Sequence, residues 1–137
     1  MIKKHYDMRY HQLIVSAIFA LALSSCFKDE APNAECDIIE ASLHVDNPTD
    51  IFYNPTDTLV RVLYTDDNIS FSVRRKADLT SLAPTFRITD GATISPASGS
   101  VHDFSKGPVI YTVTSEDKEW SRSYKVSFIP VIRTSKD

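Results

Sequence analysis

The chain has 137 residues, of which 42% are hydrophobic and 24% charged, and a formal net charge of −3 at neutral pH. That length allows one ordinary domain with a packed core, and the composition excludes a disordered chain. Residues 1–25 hold Lys3, Lys4 and Arg9 against Asp7, so the rest of the chain carries −5. An acidic chain without a basic face argues against nucleic acid as a partner and against electrostatic docking on anionic lipid.

The first segment has three parts. Basic residues up to Arg9 precede an uncharged apolar run, Leu13–Leu23, and small residues follow. The run is about half the twenty apolar residues that a spanning helix needs. A positive start, a short apolar core and small residues before a cut site predict a secretory signal peptide over 1–25. Leu23-Ser24-Ser25-Cys26 resembles the bacterial lipobox. The resemblance implies cleavage between Ser25 and Cys26 and acyl chains, palmitate among them, on Cys26. More than one chain is needed for stable anchoring, since each buried CH₂ contributes only about 0.8 kcal/mol. Lys28-Asp29-Glu30 is similar to the acidic tract that sends Bacteroidetes lipoproteins to the outer face of the outer membrane. Residues 26–36 then read as a tether. With Cys26 acylated, Cys36 has no partner within the chain, and it reads as a small apolar residue near the first strand.

From residue 37 the apolar period is two, which predicts strands. Ile39, Ala41, Leu43 and Val45 are expected inward, with Glu40, Ser42 and His44 outward. Asn47-Pro48-Thr49-Asp50 and Asn54-Pro55-Thr56-Asp57 read as turns. Leu59–Tyr64 and Ile69–Arg75 are expected to form a hairpin around Asp66-Asp67-Asn68, with Ile69, Phe71 and Val73 inward. Thr85–Thr89 and Ala92–Ser95 read as short strands joined by an Asp90-Gly91 turn. Val109, Tyr111 and Val113 share the inward face of another. Trp120, Tyr124, Val126 and Phe128 are expected on one buried face of the last. Short strands with turn signals about every ten residues predict an all-β sandwich or barrel over 37–130 and a tail over 131–137. The missing cysteine pair excludes a disulfide-linked antibody-type domain.

The stretch "ADLTSLAPTFRITDGATISPASGSVHDFSKGPVIYTVTSEDKEWSRSYKVSF", residues 77–128, closely resembles a bacterial immunoglobulin-like module of Bacteroidetes surface lipoproteins. The resemblance implies an immunoglobulin-like β-sandwich. Leu79 and Leu82 would point inward, Phe104 would plug one end, and Pro108 would cap a strand. The module often has Gly where Lys118 or Glu119 stands, so a different turn is expected there. The earlier half is similar to lipoproteins in which this domain precedes a carbohydrate-metabolism domain. The resemblance carries no catalytic residues.

No catalytic, metal or cofactor constellation is legible. Ser100, His102, Asp103 and Ser105 crowd one loop, whereas a triad converges from separate elements. Asp66-Asp67 and Glu116-Asp117-Glu119 lack the spacing of a calcium loop. Among the aromatics, Tyr53 between the two turn clusters is the candidate contact for a sugar. The expectation is a non-catalytic, lipid-anchored outer-membrane protein at the cell surface. Its partners would be the membrane through Cys26 and a polysaccharide or envelope proteins. The role expected is spacer or binding domain in glycan acquisition, or else adhesion through a sheet edge.

Overall fold

The computed structural model describes residues 31–133. The signal peptide and Ser25, Cys26, Lys28, Asp29 and Glu30 lie outside the described residues. Seven strands form in chain order: β1 (Ile38–Ser42), β2 (Leu59–Arg61), β3 (Asn68–Arg74), β4 (Thr85–Ile88), β5 (Thr93–Ser95), β6 (Val109–Thr114) and β7 (Ser121–Val131). They make a three-stranded sheet, β2-β1-β4, and a four-stranded sheet, β3-β7-β6-β5. All pairs are antiparallel except β3 with β7. The expected all-β sandwich is present.

The inward residues of both sheets share one core. Period-two alternation holds without a break in β3, where Ile69, Phe71 and Val73 are buried and Ser70 and Ser72 are exposed. The same alternation buries Tyr111 and Val113 in β6 and Tyr124, Val126 and Phe128 in β7. Parallel pairing sets Phe71 beside Phe128, and the two rings stack at 4.7 Å and 7°. Phe104 meets Phe128 edge-on, also at 4.7 Å, and so closes one end of the core as expected. Leu79 and Leu82 point inward. Pro130 is tolerated in β7 because β6 has already ended. Val109 pairs with Val126, so beyond that point β7 has only β3 as neighbour and one edge is free of the ladder.

Four expectations need correction. The hairpin from Leu59 to Arg75 does not form. Here β2 pairs with β1 while β3 pairs with β7. Each strand has one apolar side, and the segment through Asp66-Asp67 crosses from one sheet to the other, so both apolar sides meet the same core. In β1 the buried residues are Ile38 and Ala41, followed by Leu43, and Ile39 is 38% exposed. The register against β4 shifts between Ile38 and Glu40. One extra residue on one strand turns the alternation over. The two Asn-Pro-Thr-Asp clusters are single helical turns, α1 (Pro48–Ile51) and a 3-10 turn (Pro55–Thr58), each with Pro at its start. Trp120 is not in the core but 61% exposed. It precedes β7 in the hairpin loop. Its strand-phase successor Arg122 lies over the Tyr124 ring at 4.8 Å and ends the packed face there.

The last hairpin answers the missing glycine directly. Lys118 has φ +63°, the left-handed conformation that glycine adopts at no steric cost. The turn keeps the glycine geometry with a lysine in it.

Candidate functional site

The chain comes into the sandwich at one end and leaves it at the other. Asp37, just before β1, accepts a 2.6 Å bond from Nη1 of Arg122 near the start of β7. The Tyr124 hydroxyl accepts from the Ile38 amide at 3.1 Å. From there β7 runs on to Val131. Val131 lies nine steps along the strand from Arg122, about 30 Å at 3.3 Å each. The incoming end is called proximal below, and the outgoing end distal.

The proximal end holds the segment before β1, the loop through Asp67, the Asp90-Gly91 turn and the hairpin tip Ser115–Trp120. Arg122 ties two of these to β7. Its Nε donates to Asp67 at 2.7 Å and its Nη2 to the Asp66 carbonyl at 3.3 Å, besides the bond to Asp37. The Asn33 amide donates to Glu116 at 3.2 Å, and the Asp117 amide donates back to the Asn33 carbonyl at 3.3 Å. Asp117 accepts from the Ser115 hydroxyl at 2.5 Å and from the Glu119 amide at 3.0 Å, and these bonds hold its carboxyl below the usual range. Of the carboxylates read from sequence as possible calcium ligands, Asp67, Glu116 and Asp117 thus hold protein donors. Cys36 is half-buried beside them, a free thiol whose pKa is raised first by burial and then by Asp37.

Tyr53 lies at the distal end. Its hydroxyl donates to the Val131 carbonyl at 2.8 Å. The guanidinium groups of Arg74 and Arg133 lie over its ring at 4.8 and 5.2 Å, and Arg133 also pairs with Asp57 at 3.7 Å. Arg74 also donates to the Phe52 carbonyl at 3.1 Å. The side chain proposed as a sugar contact therefore ties down the outgoing strand. Tyr53 is half-buried, and among the described residues the exposed aromatics are Tyr64, 81% exposed, and Trp120. Sequence phase hid Trp120, because a side chain one step before a strand shares its parity without sharing its cover.

The polar loop brings Ser100 and His102 together at 2.8 Å. The Ser100 hydroxyl also donates to the Ala97 carbonyl at 2.5 Å. A hydroxyl has one proton, so His102 Nε2 is the donor to Ser100. An activated serine needs the reverse. Asp103 accepts instead from Ser105, through backbone and hydroxyl, which lowers its pKa. The outer face of the four-stranded sheet carries hydroxyl pairs, Ser70 with Ser127 and Thr112 with Ser123. A shallow groove of about 330 Å³ crosses it, lined by Asp67, Asn68, Ile110, Ser123, Tyr124 and Lys125.

Residues 53–128 match the family described as "SGBP, N-terminal", the N-terminal domain of surface glycan-binding proteins. The match spans more than half of the chain. The chain belongs to the SGBP N-terminal family. It is also similar to a Bacteroides thetaiotaomicron crystal structure named as a "putative glycoside hydrolase", at 37% identity and a TM-score of 0.58. That likeness covers 78% of this chain and 28% of the other, so it spans just over a quarter of that protein's length. No curated protein matches the chain. As an SGBP N-terminal domain, the chain is a glycan-related surface module of the Bacteroidetes kind, the setting that the sequence resemblance implies.

Proposed function

We propose that this SGBP N-terminal domain is a non-catalytic spacer, anchored by acyl chains on Cys26 at the outer face of the outer membrane. In this role it holds glycan-handling partners away from the lipid. The observation that carries the reading is the path of the chain. Asp37 is bonded to Arg122 at one end of β7, while the strand's last residue, Val131, is held by Tyr53 at the other. A domain threaded end to end adds its own length, about 30 Å, to the reach of a tether. A domain whose two termini share one end adds little. The bond from the Ser100 hydroxyl to the Ala97 carbonyl, rather than to His102, supports the non-catalytic part of the reading.

The test has two arms. Cells fed labelled palmitate should incorporate it into the wild-type chain and not into Cys26→Ala; label on the variant would overturn the anchor. Affinity electrophoresis of the full chain through gels containing soluble polysaccharides should show no retardation. Retardation would overturn the spacer role and make the domain a binder.

A further inference from the structure

Both terminal strands of the sandwich are interior strands. The first, β1, lies between β2 and β4 in its sheet, and the last, β7, lies between β3 and β6 in the other. The chain thus enters and leaves the domain along strands that are hydrogen-bonded on both sides. The two strands also run the same way. Ile38 starts β1 beside Tyr124 near the start of β7. After β1 the chain reaches the distal end, where the Phe52 carbonyl accepts from Arg74 at the end of β3 and the Tyr53 hydroxyl meets Val131. A pull on the two ends of the domain therefore draws β1 towards the proximal side and β7 towards the distal side, each along its own axis.

Ladder bonds lie across the strands, so a pull along a strand axis loads all of them together. A pull across the axis opens them one at a time. Cover along β7 is continuous, from β6 over Ser121–Val126 and from β3 over Lys125–Val131. The entrance is fastened as well. The Asp37 amide donates to the Thr89 hydroxyl at 3.0 Å, and the Asp37 carbonyl accepts from the Thr89 amide at 3.0 Å, which holds the residue to the end of β4. Its carboxylate holds Arg122 of β7 at 2.6 Å. With the bond from the Ile38 amide to Tyr124, this ion pair links the very strands that the pull slides past one another.

We infer that the domain carries tension between its two ends, with both terminal strands loaded in shear. In the spacer role proposed above, on which this inference rests, the tether holds one end and a partner engaged with a polymer draws on the other. The resistance itself comes from residues 37–131, whatever fastens the ends. Forced unfolding is set by the barrier out of the native state and not by equilibrium stability. A domain of modest stability therefore resists a pull along these strands and yields to one across them.

Optical tweezers test this on the full chain. In one geometry DNA handles are fixed to the two termini. In the other the C-terminal handle is moved to position 118, through an azide-bearing residue in place of Lys118, which is exposed at the β6–β7 hairpin tip. Asn33 is bonded to that tip, so this pull runs across the strands and peels the entrance from the hairpin. At one loading rate the unfolding force through the termini should be about twofold higher, because shear breaks the ladder bonds together. The domain should then give way in a single step, and in smaller steps from the proximal pair. Urea midpoints of the two handle-bearing chains should agree, which separates geometry from stability. Equal forces, or a lower force through the termini, would overturn the tension-carrying role and leave the spacer reading standing. Retardation in the polysaccharide gels would overturn the spacer reading without moving either force.

Discussion

Arg122 and Asp37 meet at 2.6 Å across the two sheets of the sandwich. Asp37 leads into the three-stranded sheet, and Arg122 belongs to the four-stranded one. The same guanidinium binds Asp67, ahead of β3, and covers the Tyr124 ring. One side chain thus joins the starts of β1, β3 and β7, which lie far apart in sequence. Arg122→Ala should cost about 2 kcal/mol, because charge-assisted bonds that are part-buried exceed exposed pairs in worth. Arg122→Lys should recover less than half, since an ammonium cannot fork to both carboxylates. Urea midpoints of the three proteins check this.

Tyr111 poses the opposite case. Its hydroxyl is buried without a hydrogen-bond partner among the described residues. Tyr111→Phe should therefore stabilise the domain by about 1 kcal/mol, read as a rise in melting temperature. Burial also pushes the Tyr111 pKa up to about 12, from 10.0. Below pH 10 both folded and unfolded states keep the proton and nothing changes. As pH rises from 10 towards 12 the unfolded chain gives up its proton first, so stability falls. The wild type should lose roughly 2–3 kcal/mol over that window that Tyr111→Phe keeps. Denaturation at a series of alkaline pH values measures the difference.

Phe71 is fully buried and stacked on Phe128. Phe71→Ala removes a ring from the middle of the parallel pair and leaves a cavity. The expected loss is about 3–5 kcal/mol, a large share of what a domain of this size has. Phe71→Leu should cost less than half as much. Chemical denaturation distinguishes the two.

The two left-handed turns should respond with opposite sign. Lys118→Gly relieves the positive φ and should stabilise by about 1 kcal/mol. Gly91→Ala should destabilise by more than that. Gly91 has φ +80°, and an added Cβ would meet Glu116 Cβ at 2.9 Å and approach its carboxylate closer still. Thermal unfolding of both variants tests the pair.

Much of this protein is written in its sequence. The alternation in residues 69–73, 109–113 and 124–128 marks three strands and their buried faces, because strand geometry makes burial a matter of parity. The positive φ at Gly91 is legible because Gly follows Asp in a turn between apolar runs. The resemblance at residues 77–128 reaches the family, since a module's turn and plug residues keep their order. What tertiary structure alone decided is partnership. Nothing local tells β3 to pair in parallel with β7 rather than fold back on β2, because the choice depends on which faces meet a shared core. A single extra residue at Ile39 turns β1 over, and a backbone bulge has no sidechain signature. The exposure of Trp120 and the bond from Tyr53 to Val131 have the same origin. Whether a ring lies in solvent or against a strand is set by what ends beside it, here Arg122 at one end and Val131 at the other.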